Sequence, residues 1–296
     1  MDTEPHVRKF QKELSAGTVA LVLHRERPQA ADLARQIAAA LLADGHQVRL
    51  PALDAELAGL HDHGGDDDEM ARAVDLAVSL GGDGTMLRTV DLVAGAGVPI
   101  LGVNVGQLGY LTDVEPADAL HAVERFLRGE GGIEERMLLR VRVEPLEGEP
   151  TEQLAFNEAV LEKTPMGHTV RLAVEVDGEF FTTYAADGLI VATPTGSTAY
   201  AFSARGPIVS PRHRAQLLTP VSPHMLFDRT LVLEPEACLR LVVQGHRRAT
   251  LSVDGRNLGE LGEGDAIVCT AAECSARLVT FGPRDFLQIL KTKFGL

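Results

Sequence analysis

Basic residues are scarce in this chain. Lys and Arg number 28 against 42 Asp and Glu, and the formal net charge is −14. A surface that acidic repels a phosphate backbone, which argues against general nucleic-acid binding. It does not exclude a small anionic ligand, because a few local donors outweigh a distant net charge. Aromatic residues make up only 4% of the 296 positions, and there is no basic patch of the kind that faces a membrane. The three cysteines, Cys238, Cys269 and Cys274, show neither metal-ligand spacing nor an even disulfide framework. They read as buried thiols of a reducing compartment. No apolar run is long enough to span a bilayer, and "MDTEPHVRKFQKELSAG" has no apolar core like that of a signal peptide. A soluble, cytoplasmic chain with no membrane partner is expected. GxSxG, HExxH and Walker A patterns are missing.

What is present begins with alternation of strand and helix. "TVALVLH" (18–24) is a short β-branched apolar run, a buried strand by its pattern. "PQAADLARQIAAALLADG" follows with Pro28 near its start, apolar residues at helical spacing and Gly45 near its stop. "HQVRL" (46–50), "AVDLAVSL" (73–80) and "VPILGVN" (98–104) read as further strands. This order predicts a mostly parallel sheet with helices on its faces. After about residue 113 one more helix, "EPADALHAVERFLRGE", is followed by short alternating runs broken by turns such as Asp177-Gly178 and Asp254-Gly255. The second half is therefore mostly β. The amphipathic tail "RDFLQILKTKF" reads as a helix docking back on the first domain. The expected domains are 1–113, completed by 281–296, and 114–280.

Two stretches carry candidate chemistry. "LGGDGT" (80–85) places Gly81, Gly82 and Gly84 where a parallel strand ends, the edge of an open α/β sheet where ligands bind. Glycine amides there, with a following helix N-terminus, cradle phosphate. Asp83 would repel phosphate unless it holds a metal or takes a proton from a hydroxyl attacking phosphorus; a plain strand-to-helix turn with an Asx cap is the competing reading. "LIVATPTGSTAYAFSARG" (189–206) runs an apolar strand into Pro194, Gly196 and the hydroxyls of Thr193, Thr195, Ser197, Thr198, Tyr200 and Ser203. Those donors suit a ribose or phosphate, and equally a turn that caps a helix. Asp187 precedes that strand. Asn157-Glu158 is a polar pair inside "LAFNEAVLEK", suited to an adenine edge and a sugar hydroxyl, or to a bulge or edge-strand pair. "LGVNVGQLGYLTDV" (101–114) lacks GxGxxG spacing and reads as a glycine-rich crossing. "HDHGGDDDE" (61–69) reads as a solvated acidic loop rather than a metal site.

Taken together, "GGDGTMLR" (81–88), "LGVNVGQLGYLTD" (101–113), "NEAVLEK" (157–163), "VDGEFFTTYAADGLIVATPTGSTAYAFSARGPIV" (176–209), "LTPVSPHMLFDRTLVL" (218–233) and "LSVDGR" (251–256) resemble the NAD kinase family in sequence and in order. "GGDG" alone is shared with diacylglycerol-type lipid kinases and phosphofructokinases; "DGLIVATPTGSTAY" is far more specific. The resemblance implies a Rossmann-like open α/β domain followed by a β-sandwich domain. It implies phosphoryl transfer from ATP or polyphosphate, with Mg²⁺ or another divalent cation, to the 2′-hydroxyl of the adenosine ribose of NAD, forming NADP. It also implies a homodimer or homotetramer. By the same resemblance Asp83 is the general base with Gly84 beside it. Asn157 and Glu158 contact the adenosine side, Asp187 the nicotinamide end, and Thr195, Thr198, Ala199, Tyr200 and Ser203 line the dinucleotide site. Arg88, one helical turn beyond the loop, would face phosphate; Tyr110 would stack on a ring; His168 would contact ligand.

Two other readings compete. A lipid kinase of the related superfamily would need an apolar acceptor pocket or a basic membrane-facing patch, and this chain shows neither. A non-catalytic NAD(P)-binding regulator would have no use for Asp83 beside a phosphate loop. The residues leave open the donor, NAD against NADH, and feedback.

Overall fold

The structure is a computed structural model and describes residues 7–10, 13–67, 70–106, 109–164, 168–282 and 285–296. Two compact units divide the chain: Met1–Glu135 with Ser275–Leu296, and Arg136–Cys274.

The first unit contains β1 (Val7–Lys9), β2 (Thr18–Leu23), α1 (Pro28–Ala43), β3 (Gln47–Pro51), α2 (Ala52–Ala58), β4 (Gly64–Gly65), β5 (Leu76–Gly81), α3 (Asp83–Val93), β6 (Pro99–Asn104) and α4 (Ala119–Leu127). Its parallel sheet runs β6-β5-β2-β3-β4. β2, β5 and β6 are buried along their whole length, which is why they read as nearly continuous apolar runs and not as alternation. From β2 the chain winds through α1 to β3 on one side; from β5 it winds through α3 to β6 on the other. The crossovers therefore diverge between β2 and β5, whose ends lie side by side with Leu23 opposite Leu80. Right-handed crossovers in opposite directions put α1 and α3 on opposite faces. Packing agrees: Ala34, Ile37 and Leu41 of α1 share a core with Val19, Leu21, Val78 and Leu80, whereas Met86 and Val90 of α3 are buried outside that cluster. The divergence point between two such strands is where an open α/β sheet leaves a crevice.

β7 (Gly132–Glu144) carries the chain into the second unit, which holds β8 (Thr151–Ala155), β9 (Glu158–Lys163), β10 (Val170–Val176), β11 (Glu179–Ala186), β12 (Gly188–Ala192), α5 (Tyr200–Ser203), β13 (Gln216–Val221), β14 (Leu231–Leu233), β15 (Leu239–Gln244), β16 (Ala249–Val253), β17 (Arg256–Leu261) and most of β18 (Ala266–Thr280). One antiparallel sheet runs β14-β13-β12-β9-β16-β17; β11, β10, β15 and β18 pair antiparallel in another, and β7 pairs with β8. Leu161, Leu189, Val191 and Leu251 of the first meet Leu172, Val174, Leu241 and Ile267 of the second in one core. This is a β-sandwich. The final helix, α6 (Phe286–Phe294), belongs to the first unit, where Lys293 Nζ lies 5.0 Å from the Tyr110 ring centre.

Two expectations shift. The boundary falls at 135/136 and 274/275 rather than at 113/114 and 280/281. The reason is α4, whose Ala119, Ala122, Val123, Phe126 and Leu127 are buried in the first unit's core; a change to β character marks where strands begin, not where a core ends. "LAFNEAVLEK" is also not one strand. It divides into β8 and β9, which pair with different sheets, so Phe156-Asn157 is the corner where the chain changes sheet. Glu158 consequently opens a central strand, not an edge or a bulge.

Candidate active site

In the first unit β5 stops at Gly81, Gly82 is extended (φ −104°, ψ −161°), and α3 starts at Asp83. The missing Cβ at Gly81 makes room for the Thr85 side chain, which lets the helix turn so soon after the strand. Asp83 Oδ2 accepts the Tyr110 backbone N–H at 3.0 Å and Oδ1 accepts that of Leu111 at 3.1 Å. The two amides orient the carboxylate and leave further lone pairs for a proton. Gly109 lies directly against it: a Cβ there would strike the Asp83 carboxyl group. The segment read as a mere crossing thus supplies the donors that hold the candidate base.

Arg88, expected to face phosphate, lines the loop's cavity and is held from behind. Its Nη1 and Nη2 grip the Asp54 carboxylate at 2.8 and 2.7 Å, and Nη2 also donates to the Leu23 carbonyl. Asp54 is 0% exposed and also accepts Leu23 N–H and Arg25 Nε, at 2.8 and 3.0 Å. Sequence reading missed Asp54 because α2, which carries it, was not foreseen; a lone acid beside Leu53 and Ala55 gives no signal. The Tyr110 ring faces the Lys293 ammonium, and burial together with the nearby Asp83 charge raises its phenol pKa. A cavity of about 470 Å³ opens between the end of β2 and the glycine loop, lined by Arg25, Arg27, Gly82, Gly84, Thr85 and Arg88 among others.

The second unit gathers most of the other candidates. Asp254 accepts the backbone N–H groups of Phe156, Asn157 and Glu158 at 2.7, 2.7 and 3.0 Å. Its φ of +48° places the carboxylate in the Asp254-Gly255 turn, which the sequence showed only as a hairpin signal. Glu158 is 7% exposed and its Oε2 has no partner among the described residues. Burial first, and the Asp254 charge second, push its pKa up to about 8. Glu158 is thus protonated at neutral pH, with an O–H to donate.

The 193–203 turn spends most of its hydroxyls on itself. Thr193 Oγ1 donates to Phe156 O at 2.6 Å and accepts Gly196 N–H at 3.1 Å. Ser197 Oγ donates to Pro194 O at 2.6 Å and accepts Val209 N–H at 3.0 Å. Thr198 bonds back to Thr195 O, and Thr195, almost fully buried, faces Arg136 at 3.5 Å. The expected row of free donors is therefore largely a clamp joining the turn to the Asn157 corner. A Cβ on Gly196 would collide with the Asn157 carbonyl. Ala199 precedes α5, and Tyr200 and Ser203 are exposed on it. Tyr200 and Asp187 line a second cavity of about 630 Å³ with Lys163, Thr164 and Asn257 among its other walls. Asp187 pairs with Lys163 Nζ at 2.8 Å. Burial, then Glu162 and Asp187, raise the Tyr200 phenol pKa. His168 lies exposed before β10, with no hydrogen bond to any of these residues among those described.

Two family descriptions match: the ATP-NAD kinase N-terminal domain over residues 61–131 and the ATP-NAD kinase C-terminal domain over residues 156–281. An NAD kinase of Heliobacterium modesticaldum is 42% identical over 93% of this chain and 98% of its own length. One of Moorella thermoacetica is 39% identical over 93% and 88%. Among solved structures, yeast NADH kinase complexed with NADH superposes with a TM-score of 0.90 at 26% identity, covering 100% of this chain and 93% of that one. An Archaeoglobus fulgidus NAD kinase in complex with ATP shares the fold at a TM-score of 0.70 and 24% identity, over 94% and 97%. Both domain descriptions of the family match, and relatives alike over nearly their full length carry its name: the chain belongs to the NAD kinase family.

Proposed function

We propose that Asp83 is the general base of the NAD kinase reaction of this chain. A ribose hydroxyl is a poor nucleophile, and a positioned carboxylate removes its proton as the oxygen attacks phosphorus. The 2′-oxygen forms a bond to the γ-phosphorus of ATP, the bond from that phosphorus to the β–γ bridging oxygen breaks, and ADP leaves. The observation that carries this reading is the Asp83 carboxylate held at the start of α3 by the Tyr110 and Leu111 amides. Asn157 and Glu158 contact the adenosine side, with the protonated Glu158 carboxyl donating a hydrogen bond. Asp187 meets the nicotinamide end, and Thr195, Thr198, Ala199, Tyr200 and Ser203 wall the dinucleotide. The donors at the glycine loop are guanidinium groups, backbone amides and a threonine, which suit phosphate oxygens rather than a bare cation. A divalent cation such as Mg²⁺, brought in with the donor, would supply neutralisation of the charge that develops on the transferring group.

The test is NADP formation from NAD, ATP and Mg²⁺ by wild type and Asp83→Asn, with NADH and polyphosphate run alongside to set acceptor and donor range. The asparagine keeps the shape of the site, so binding should persist while turnover falls by about 10²–10⁴. Near-normal turnover in the variant would overturn the base assignment.

The chain works as a cytoplasmic homo-oligomer in this reading. No helix of the described residues is long and apolar enough to cross a membrane. The three free cysteines suit a reducing compartment. Phe181 and Phe227 meet edge to face on the surface, an apolar pair of the sort that subunit contacts cover. Light scattering of the purified protein distinguishes monomer, dimer and tetramer.

A further inference from the structure

The segment that holds Asp83 is itself held unevenly. Beyond the two amides that bind the carboxylate, the chain is pinned: Asp113 and Val114 N–H donate to the Gly102 carbonyl at 3.3 and 3.2 Å, and Leu111 and Thr112 are buried. On the other side stands Gly109, which has no side chain to anchor. Tyr110 lies between. Its amide donates to Asp83 Oδ2 at 3.0 Å, and its half-buried side chain is what can fix that amide from outside. The ring contact found for it among the described residues is with the Lys293 ammonium, 5.0 Å from the ring centre. That is within the range at which a cation is drawn to an aromatic face.

Lys293 is carried there by α6. Phe286, Ile289 and Leu290 of this helix are half-buried, and Lys293 continues their stripe three and four residues on. Both helix ends are defined: Asp285 Oδ1 accepts Gln288 N–H at 3.0 Å, and Gly295 turns left-handed at φ +66°. Lys293 sits in the last turn, where a cation also suits the helix dipole. Yet no residue of α6 is fully buried, and Leu287 and Phe294 are exposed. A helix that buries so little apolar surface docks weakly, so the charged contact near its end helps decide where it rests. The contacts form one path, from the Lys293 ammonium to the Tyr110 ring and from the Tyr110 backbone to the Asp83 carboxylate.

We propose that Lys293 is a positioning residue for the reaction: by holding the Tyr110 ring it fixes the Tyr110 amide, and through that amide the direction of the Asp83 carboxylate. The proposal rests on the reading of Asp83 as general base and extends it to α6. Lys293 touches neither substrate in this role. A base displaced by about 1 Å loses on the order of 10²-fold in rate. Losing one partly exposed cation–π contact loosens the segment by only about two- to tenfold, so turnover should fall in a graded way and not vanish. Substrate binding draws on other groups, so the KM values should hold.

The experiment is steady-state kinetics on the full chain with NAD, ATP and Mg²⁺. It compares wild type, Lys293→Met, Lys293→Arg, Tyr110→Leu and the double variant of Lys293→Met with Tyr110→Leu, with melting temperatures alongside and Asp83→Asn as control. Lys293→Met keeps the length of the side chain and removes its charge. Its kcat should fall about fivefold, with the KM for NAD and for ATP within about twofold and the melting temperature nearly unchanged. Lys293→Arg returns a cation to the ring and should recover most of the loss. Tyr110→Leu should lower kcat at least as far, and adding Lys293→Met to it should change little more, because residues on one path are not additive. An unchanged kcat in Lys293→Met, or independent losses that add in the double variant, would overturn the proposal. A raised KM for ATP with kcat intact would also overturn it, by placing Lys293 on the substrate. A wild type that makes no NADP, or near-normal turnover in Asp83→Asn, would overturn it differently, by removing the base on which it rests.

Discussion

The carboxylate of Asp83 stands against Gly109, in the space a Cβ there would need, although the two are 26 positions apart in the chain. The next two residues, Tyr110 and Leu111, donate the amides that hold that carboxylate. A glycine in one segment therefore sets where the proposed base in another segment points. In Gly109→Ala the new methyl meets the end of a side chain that can rotate away, so the fold should lose less than about 1 kcal/mol. Asp83 would be displaced, and a misplacement of about 1 Å costs on the order of 10²-fold in turnover. Paired measurements of kcat and melting temperature check this: turnover should collapse while the melting temperature barely moves.

The pair formed by Glu158 and Asp254 makes stability depend on pH in the sense opposite to most carboxylates. Glu158 has a folded-state pKa of about 8 against 4.5 when unperturbed, from burial and from the Asp254 charge. Between those values the folded protein holds a proton that the unfolded chain has released, so stability falls as pH rises through that window. The contribution is complete below about pH 4.5 and is lost by about pH 8. Glu158→Gln keeps the shape without the titration. Its melting temperature should decline less than that of wild type between pH 6 and about 9. Parallel curves for the two proteins would contradict the raised pKa.

Gly196 and Asn157 meet backbone to backbone. A Cβ at Gly196 would collide with the Asn157 carbonyl, which unlike a side chain cannot swing aside. Gly196→Ala should therefore destabilise by about 1–3 kcal/mol and raise the KM for NAD, because it pushes the Asn157 corner from the 193–203 turn. Denaturant titration and NAD kinetics read the two effects.

The ion pair between Lys163 Nζ and Asp187, at 2.8 Å, is partly open to solvent, with side-chain exposures of 39% and 29%. Such pairs contribute at most about 1 kcal/mol to stability. Asp187→Asn should consequently fold almost normally. Since Asp187 lines the 630 Å³ cavity with Tyr200, the same change should weaken dinucleotide binding several-fold, which a fluorescence or calorimetric titration with NAD would measure.

Much of this protein was legible in the order of its residues. Near-continuous apolar runs such as Val19–Leu23 and Leu76–Leu80, the latter broken only by Ser79, announced strands buried on both faces, and Pro28 and Gly45 bounded a helix that the structure ends at Ala43. The glycines around Asp83 marked a strand end opening a helix, and the motif set marked the family, because these features are local: a strand, a turn and a cap are decided by neighbours within a few positions. Other features needed the tertiary structure. Asp54 gives no signal in the chain and yet orders two arginines, since its meaning comes from burial beside residues 29 and 34 positions away. Nothing in the chain pairs Arg88 with Asp54, which grips it; Ser197 and Thr193 looked like ligand donors and tie a turn. Asp254 looked like a hairpin residue and holds the Asn157 corner through three amides. Sequence specified which groups were available and which local shapes they would take. Only folding decided which of those groups satisfy each other and which remain for a ligand, because hydrogen-bond capacity and burial are settled between segments far apart in the chain.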